Sequence, residues 1–154
     1  MNFSVRALTL EDAEAISGWR YPPPYDVYDV PNDPGQDADL GEPSGWGSWW
    51  FAVDDDASDL AGYLELHQIG DEVEIGLGMR PDATGQGLGA SFVEAALDFA
   101  RARWSPGSFG LDVFPWNERA IRTYERAGFA RGDVYVRTFE DGNEVTFLRM
   151  SRPA

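Results

Sequence analysis

The sequence predicts a single α/β (α+β) domain over residues 1–154, built on one mixed, mainly antiparallel sheet of about seven strands with helices on both faces. Three observations carry that expectation. At 154 residues the chain has the usual size of one domain, and folding at that size buries roughly 68–70% of the extended surface. Its hydrophobic spacing switches repeatedly between the two-residue period of strands and the 3.6-residue period of helices. Turn residues then divide it in the order β-α-loop-β-β-β-α-β-α-β-β, with no internal repeat.

Phe3, Val5 and Ala7 alternate with Asn2, Ser4 and Arg6, which predicts a short first strand. Thr9 is placed to cap a helix through Leu10, Ala13, Ile16 and Trp19, with Glu11 and Asp12 in the first turn where the helix dipole favours acids. Tyr21-Pro22-Pro23-Pro24-Tyr25 stops that helix, because three prolines remove donors and fix φ. Asp26 to Gly47, rich in Asp, Pro and Gly, reads as an irregular surface excursion with room for one helical turn. A strand is expected over Ser48–Val53, which would set Trp49 and Trp50 on opposite faces.

Two further strands, Leu60–Gln68 and Glu72–Met79, meet at Gly70-Asp71. A two-residue turn there sets Ile69 opposite Glu72 and therefore His67 opposite Glu74. Gly85 to Arg103 is the strongest helix, with Leu88, Phe92, Val93, Ala96, Leu97, Phe99 and Ala100 on one apolar face. After Ser105-Pro106-Gly107, Phe109–Phe114 reads as a buried strand. Asn117 caps a second helix through Ala120, Ile121 and Tyr124, with Gly128 as its stop. Val134–Phe139 and Glu144–Met150 flank the hairpin turn Asp141-Gly142.

Composition narrows the function classes. Without cysteine the chain has no disulfide framework, thiol nucleophile or Cys-ligated zinc site, and its one histidine argues against a His-rich metal site, so no metal is expected. MNFSVRALTL lacks the basic and apolar regions of a signal peptide, and no stretch approaches ~20 apolar residues, so a cytoplasmic protein that neither spans nor binds a membrane is expected. The net charge is −15, from 27 acids against 12 bases, and every base is arginine. That field disfavours nucleic acid and attracts cations, although genome composition or salt adaptation produces the same excess. The chain is expected to be a monomer or a homodimer.

The segment Arg80-Pro81-Asp82-Ala83-Thr84-Gly85-Gln86-Gly87-Leu88-Gly89-Ala90 joins a strand to the strongest helix. Its glycines permit positive φ and close ligand approach. The helix start offers unpaired N–H groups and positive partial charge, which together suit phosphate oxygens without lysine or metal. The same residues match the dinucleotide pattern G-x-G-x-x-[G/A], so a dinucleotide-binding oxidoreductase is a rival reading. That fold places its first glycine at the tip of the first strand, whereas Arg80-Pro81-Asp82-Ala83 intervenes here after a hairpin. Asp112, at about the distance of the ribose-binding acid, falls mid-strand.

These residues resemble the GNAT superfamily of N-acetyltransferases. Thr84-Gly85-Gln86-Gly87-Leu88-Gly89 is similar to its cofactor motif [Q/R]-x-x-G-x-[G/A], with Thr84 in place of the usual Gln or Arg. Residues 117–129, from Asn117 through Ala120 and Tyr124 to Gly128-Phe129, are similar to its second block, N-x-x-A-x-x-x-Y-x-x-x-G-F. The resemblance implies a GNAT-like fold and acetyl-CoA as cofactor. It implies that backbone groups of Leu77 and Met79 pair with the pantetheine arm, and that amides of Gly85, Gln86, Gly87, Leu88, Gly89 and Ala90 hold the pyrophosphate, with Thr84 next to them in the cofactor site. Asn117 and Ala120 would line the arm, with the Tyr124 hydroxyl near the sulfur as general acid.

Transfer to an amine also needs a proton acceptor. Glu74 is the first choice, with His67 and Glu65 on the same strand face; the alternative is an ordinary solvated Glu–His pair worth ~0.2–1 kcal/mol. Trp19, Tyr21, Tyr25, Asp26 and Tyr28 form an aromatic and acidic cluster suited to an ammonium group, or else tie the proline-rich segment to the core. The expected reaction is acetylation of a primary amine, on a small molecule or a protein N-terminus. A non-catalytic acyl-CoA-binding sensor is the other alternative.

Overall fold

The computed structural model describes residues 2–154. Strands β1 (Ser4–Ala7), β2 (Trp50–Asp54), β3 (Leu60–Ile69), β4 (Glu72–Met79), β5 (Ser108–Val113), β6 (Ala130–Thr138) and β7 (Glu144–Pro153) form one sheet in the order β1-β2-β3-β4-β5-β7-β6. Every pairing is antiparallel except β4–β5. Helices α1 (Leu10–Gly18), α2 (Pro34–Leu40), α3 (Trp46–Trp49), α4 (Gly89–Trp104) and α5 (Glu118–Arg126) complete it, with single 3₁₀ turns in the connections. The predicted element order and mixed sheet are both found.

Strand alternation sorts the side chains into two cores. One face carries Phe51, Val53, Leu64, Leu66, Val73, Ile75, Phe109, Leu111, Val113, Leu148 and Met150. Over it lie Phe92, Val93, Ala96, Leu97 and Ala100 of α4, the predicted apolar stripe, together with Ile121 of α5. The opposite face carries Trp50, Ala52 and Tyr63, covered by Ala13 and Ile16 of α1, Leu40 of α2 and Trp46 of α3. Helices therefore cover both faces. At the α1 start, Thr9 and Asp12 form a capping box, and Arg6 of β1 bridges Asp12 and Asp54, tying β1, α1 and β2 together. Burial alone would raise the Asp12 pKa, but the Arg6 and Thr9 hydrogen bonds outweigh it and hold the carboxyl below its ordinary value.

Several boundaries differ from expectation: β6 begins at Ala130 rather than Val134, β7 runs on to Pro153 rather than ending at Met150, and three further differences lie nearer the site. The strand predicted from Ser48 starts at Trp50, because residues 46–49 close a helical turn with the Trp50 N–H donating to the Trp46 carbonyl. Trp49 is consequently 45% exposed on that turn while Trp50 is buried, so helix end and strand separate the two rings. The excursion of residues 26–47 holds α2 and several short turns rather than one, with Asp33 capping α2. The long helix begins at Gly89 and not at Gly85, since Gly85 and Gly87 sit at φ +73° and +74°, which a right-handed helix excludes. Register in the β3–β4 hairpin matches the reading from the turn: Ile69 faces Glu72 and His67 faces Glu74.

The pairing of β4 with β5 places the site. It lasts only from Glu72↔Ser108 to Glu74↔Gly110, after which the strands part. From Ile75 onward β4 keeps β3 on one side and borders a gap on the other.

Candidate functional site at the split between β4 and β5

A cleft of about 840 Å³ occupies this gap and runs through the sheet. Ile75, Gly76, Leu77, Gly78 and Met79 line one wall, and Asp112, Val113 and Phe114 the other. On the α4–α5 side it is bounded by Thr84, Gly85, Gly87, Leu88, Gly89, Asn117, Ala120 and Tyr124. Tyr21, Tyr25, Tyr28, Tyr63, Asp33, Gln36 and Phe147 close the opposite side.

The β4 wall presents backbone. The Arg80 N–H donates to the Ala61 carbonyl at 2.7 Å, making these two a hydrogen-bonded pair of the β3–β4 ladder. Alternation along an antiparallel ladder then turns the N–H and C=O groups of Ile75, Leu77 and Met79 away from β3, toward the gap. The Met79 carbonyl already accepts the Tyr21 hydroxyl at 2.6 Å, so Leu77 offers the next pair of groups facing the gap.

The loop before α4 is shaped to leave room. A Cβ built on Gly85 or Gly87 would have nothing within 4 Å, although both positions hold left-handed φ. Both glycines line the cleft, and their amides sit beside the N-terminus of the 16-residue α4. Gln86 turns away, donating its side-chain amide to the Asp82 carbonyl at 2.6 Å, and neither it nor Ala90 lines the cleft. The Thr84 hydroxyl donates to the Pro81 carbonyl at 2.7 Å, closing the turn.

From α5 come Tyr124 and three arginines, Arg119, Arg122 and Arg126, all lining the cleft. No carboxylate of the described residues lies within ion-pairing distance of Arg122 or Arg126. Sequence reading missed these arginines, although Arg119, Arg122 and Arg126 recur at helical spacing three and four apart. Among the described residues the Tyr124 hydroxyl makes no hydrogen bond to protein. Burial, reinforced by the neighbouring Tyr28, raises its pKa, so it stays protonated. Asn117 is buried with both side-chain groups engaged: its oxygen caps α5 through the Ala120 N–H, and its NH₂ donates to the Tyr28 hydroxyl at 2.8 Å.

That last bond brings the proline-rich segment to the site. Tyr28 lies against Phe114, Tyr25 against Trp116, and the Arg119 guanidinium sits 4.0 Å from the centre of the Tyr25 ring. Burial and the nearby Asp29 push the Tyr21 hydroxyl up to about 12, against the opposing Arg119. Of the expected acceptor wall, Tyr21, Tyr25 and Tyr28 reach the cleft. Trp19 instead leans on Tyr63 within the second core, and Asp26 spends its backbone carbonyl on Asp29 and Asn32, so neither lines it.

Glu65, His67 and Glu74 share one sheet face, as the hairpin register requires, but none of them lines the cleft. His67 Nε2 stands 3.7 Å from Glu65 and its ring contacts Trp49, while Glu74 faces Arg149 at 3.6 Å.

A glycine loop at a helix start, outward-facing strand backbone and an unpaired basic helix face are the groups that would hold a long, phosphate-bearing cofactor along β4. Comparisons with known proteins agree. The model of the acetyltransferase (GNAT) family matches residues 10–129. Streptothricin acetyltransferase from Streptomyces lavendulae is 30% identical over 135 residues, covering 80% of this chain and 69% of that protein. Aminoglycoside acetyltransferase AAC(6')-Ib, solved with coenzyme A, superposes with a TM-score of 0.76 at 20% identity, covering 99% of this chain and 95% of that one. A chimera of the spermidine N-acetyltransferase SpeG from Vibrio cholerae and hSSAT gives a TM-score of 0.71 at 24% identity, covering 98% and 95%.

Proposed function

Since the chain belongs to the GNAT family of acetyltransferases and is an acetyl-CoA-dependent N-acetyltransferase, we propose that its acceptor is the primary amine of a small polycationic molecule. The observation that carries this reading is a cleft open through the sheet. Its α4–α5 side bears backbone amides and arginines, and its opposite side bears tyrosines with Asp33 and Asp112. Anionic coenzyme and cationic acceptor are thus given opposite ends of one passage. Streptothricin, aminoglycosides and spermidine, the acceptors named for the relatives, fit the tyrosine-lined end by the same chemistry.

Acetyl-CoA supplies an acyl carbon already activated as a thioester, so no nucleophile of the protein is required. The amides of Gly85, Gly87, Leu88 and Gly89, with Arg122 and Arg126, hold the phosphates, and the Leu77 backbone groups hold the extended arm against β4. Tyr124, unpaired and protonated beside the gap, donates its proton to the departing sulfur. Asn117 fixes the start of α5 and therefore the position of Tyr124 two turns later. Dependence on acetyl-CoA supports a cytoplasmic location.

The test is a thermal-shift comparison followed by thiol release. Acetyl-CoA is expected to raise the melting temperature where NAD(H) does not, and thiol release is expected with at least one of ribostamycin, streptothricin and spermidine. Protection by NAD(H) alone would point to an oxidoreductase. Binding without thiol release from any amine would leave a sensor.

A further inference from the structure

Arg149 of β7 reaches across the sheet face opposite Tyr124. Alternation places it there, between the buried Leu148 and Met150. Its guanidinium is 2.8 Å from Glu72, 3.6 Å from Glu74 and 3.5 Å from Asp112. Gly110 makes this reach possible, since a Cβ at that position would overlap both the Glu72 carboxylate and the Arg149 guanidinium. Asp112, the direct cross-strand neighbour of Arg149, is further held by the Tyr135 hydroxyl, which donates to Oδ2 at 2.6 Å. Tyr135 belongs to β6, so three strands converge on one carboxylate.

Of these three acids Asp112 alone lines the cleft. Glu72 and Glu74 lie where β4 and β5 are still paired, whereas Asp112 lies two residues beyond the last pair, beside the opening gap. Opposite it, β4 presents Gly76 and Gly78, whose missing side chains make room for Glu65 and the Tyr63 ring, and Tyr63 lines the cleft there. The Asp112 side chain is only 11% exposed. We propose that Asp112 is the carboxylate that receives the acceptor's ammonium and takes its proton, held in place by Arg149 and Tyr135. Glu72 and Glu74 orient Arg149 and act as positioning residues.

The proton balance follows from the two faces. An ammonium acceptor gives one proton to Asp112, which passes it to water. The freed lone pair forms the C–N bond, the C–S bond breaks, and the thiolate takes the Tyr124 proton. The second proton shed by nitrogen restores the Tyr124 hydroxyl. One ammonium and one thioester become one amide, one thiol and one released proton. Proton acceptor and proton donor stand on opposite faces of the sheet, as an attack through the gap requires.

This inference rests on the amine-acetylation reading, and the experiment separates the two. The amine among ribostamycin, streptothricin and spermidine that the wild-type protein turns over best is used throughout. Asp112→Asn is expected to lower kcat/KM for that amine about 100-fold or more and to leave the coenzyme A dissociation constant within about twofold. Calorimetric titration of the same amine into protein without coenzyme should show binding weakened about tenfold or more. Tyr135→Phe removes one hydroxyl from the outermost strand and serves as a second variant should Asp112→Asn fail to fold. It is expected to lower kcat/KM about five- to twentyfold with unchanged coenzyme affinity and melting temperature. Wild-type rates in Asp112→Asn, or in Tyr135→Phe where the first variant is unfolded, would overturn the role of Asp112 and leave the acetyltransferase reading standing. A wild-type protein that turns over none of the three amines would overturn both.

Discussion

Gly87→Ala tests the phosphate cradle, and Gly142→Ala supplies its control. Both glycines hold left-handed φ, +74° and +85°, and a Cβ at either would meet nothing within 4 Å. The backbone cost of an L-residue there is therefore the same for both, about 1–2 kcal/mol, with no steric overlap added. In a domain of 154 residues that cost lowers the melting temperature by roughly 2–8 °C. The positions differ in what the amide does. Gly142 turns the β6–β7 hairpin, far from the cleft, whereas Gly87 lines it. A methyl at Gly87 enters the space kept for phosphate oxygens, or drives φ negative and swings the amide away. Losing one hydrogen bond to a charged oxygen costs about 1.5–3 kcal/mol, which weakens coenzyme A binding roughly 10- to 150-fold. Calorimetric titration with coenzyme A and thermal melting of both variants give the readout. Equal melting losses with a binding loss confined to Gly87→Ala are expected. Unchanged affinity in Gly87→Ala, or the same loss in Gly142→Ala, would refute the cradle.

Tyr124→Phe is expected to reduce kcat about 100-fold with the coenzyme dissociation constant nearly unchanged, because only the hydroxyl that faces the gap is removed; equal turnover in single-turnover measurements would exclude it as proton donor. His67, the only histidine, gives a single clean NMR titration. Its pKa is raised, first by the Glu65 hydrogen bond against the opposing effect of burial, with Glu74 and Asp39 adding to it. The stability this contributes is complete below the unfolded value of about 6.5 and is lost as pH rises through the folded value. Glu65→Gln should move the midpoint downward, and an unmoved midpoint would show that the pair does not form in solution.

What the sequence determined by itself was local. Period and turn residues set the element order, the His67–Glu74 register, the Thr9 and Asn117 caps and the glycine loop, because each depends on residues within a few positions of one another. Even so, the spacing predicts α4 from Gly85 whereas it starts at Gly89, since glycine permits either sign of φ and only the folded loop chooses. Tertiary structure decided which strands part and which side chains meet at the parting. Tyr28 reaches Asn117 across 89 positions, Arg149 reaches Glu72 across 77, and Tyr21 reaches Met79 across 58. No periodicity records such pairs. Strand alternation tells each residue its face, but which distant residue shares that face depends on strand order. Strand order is settled by which edges remain unpaired once the two cores have closed, and that is why the sequence pointed to Glu74 while the fold brings Asp112 to the cleft.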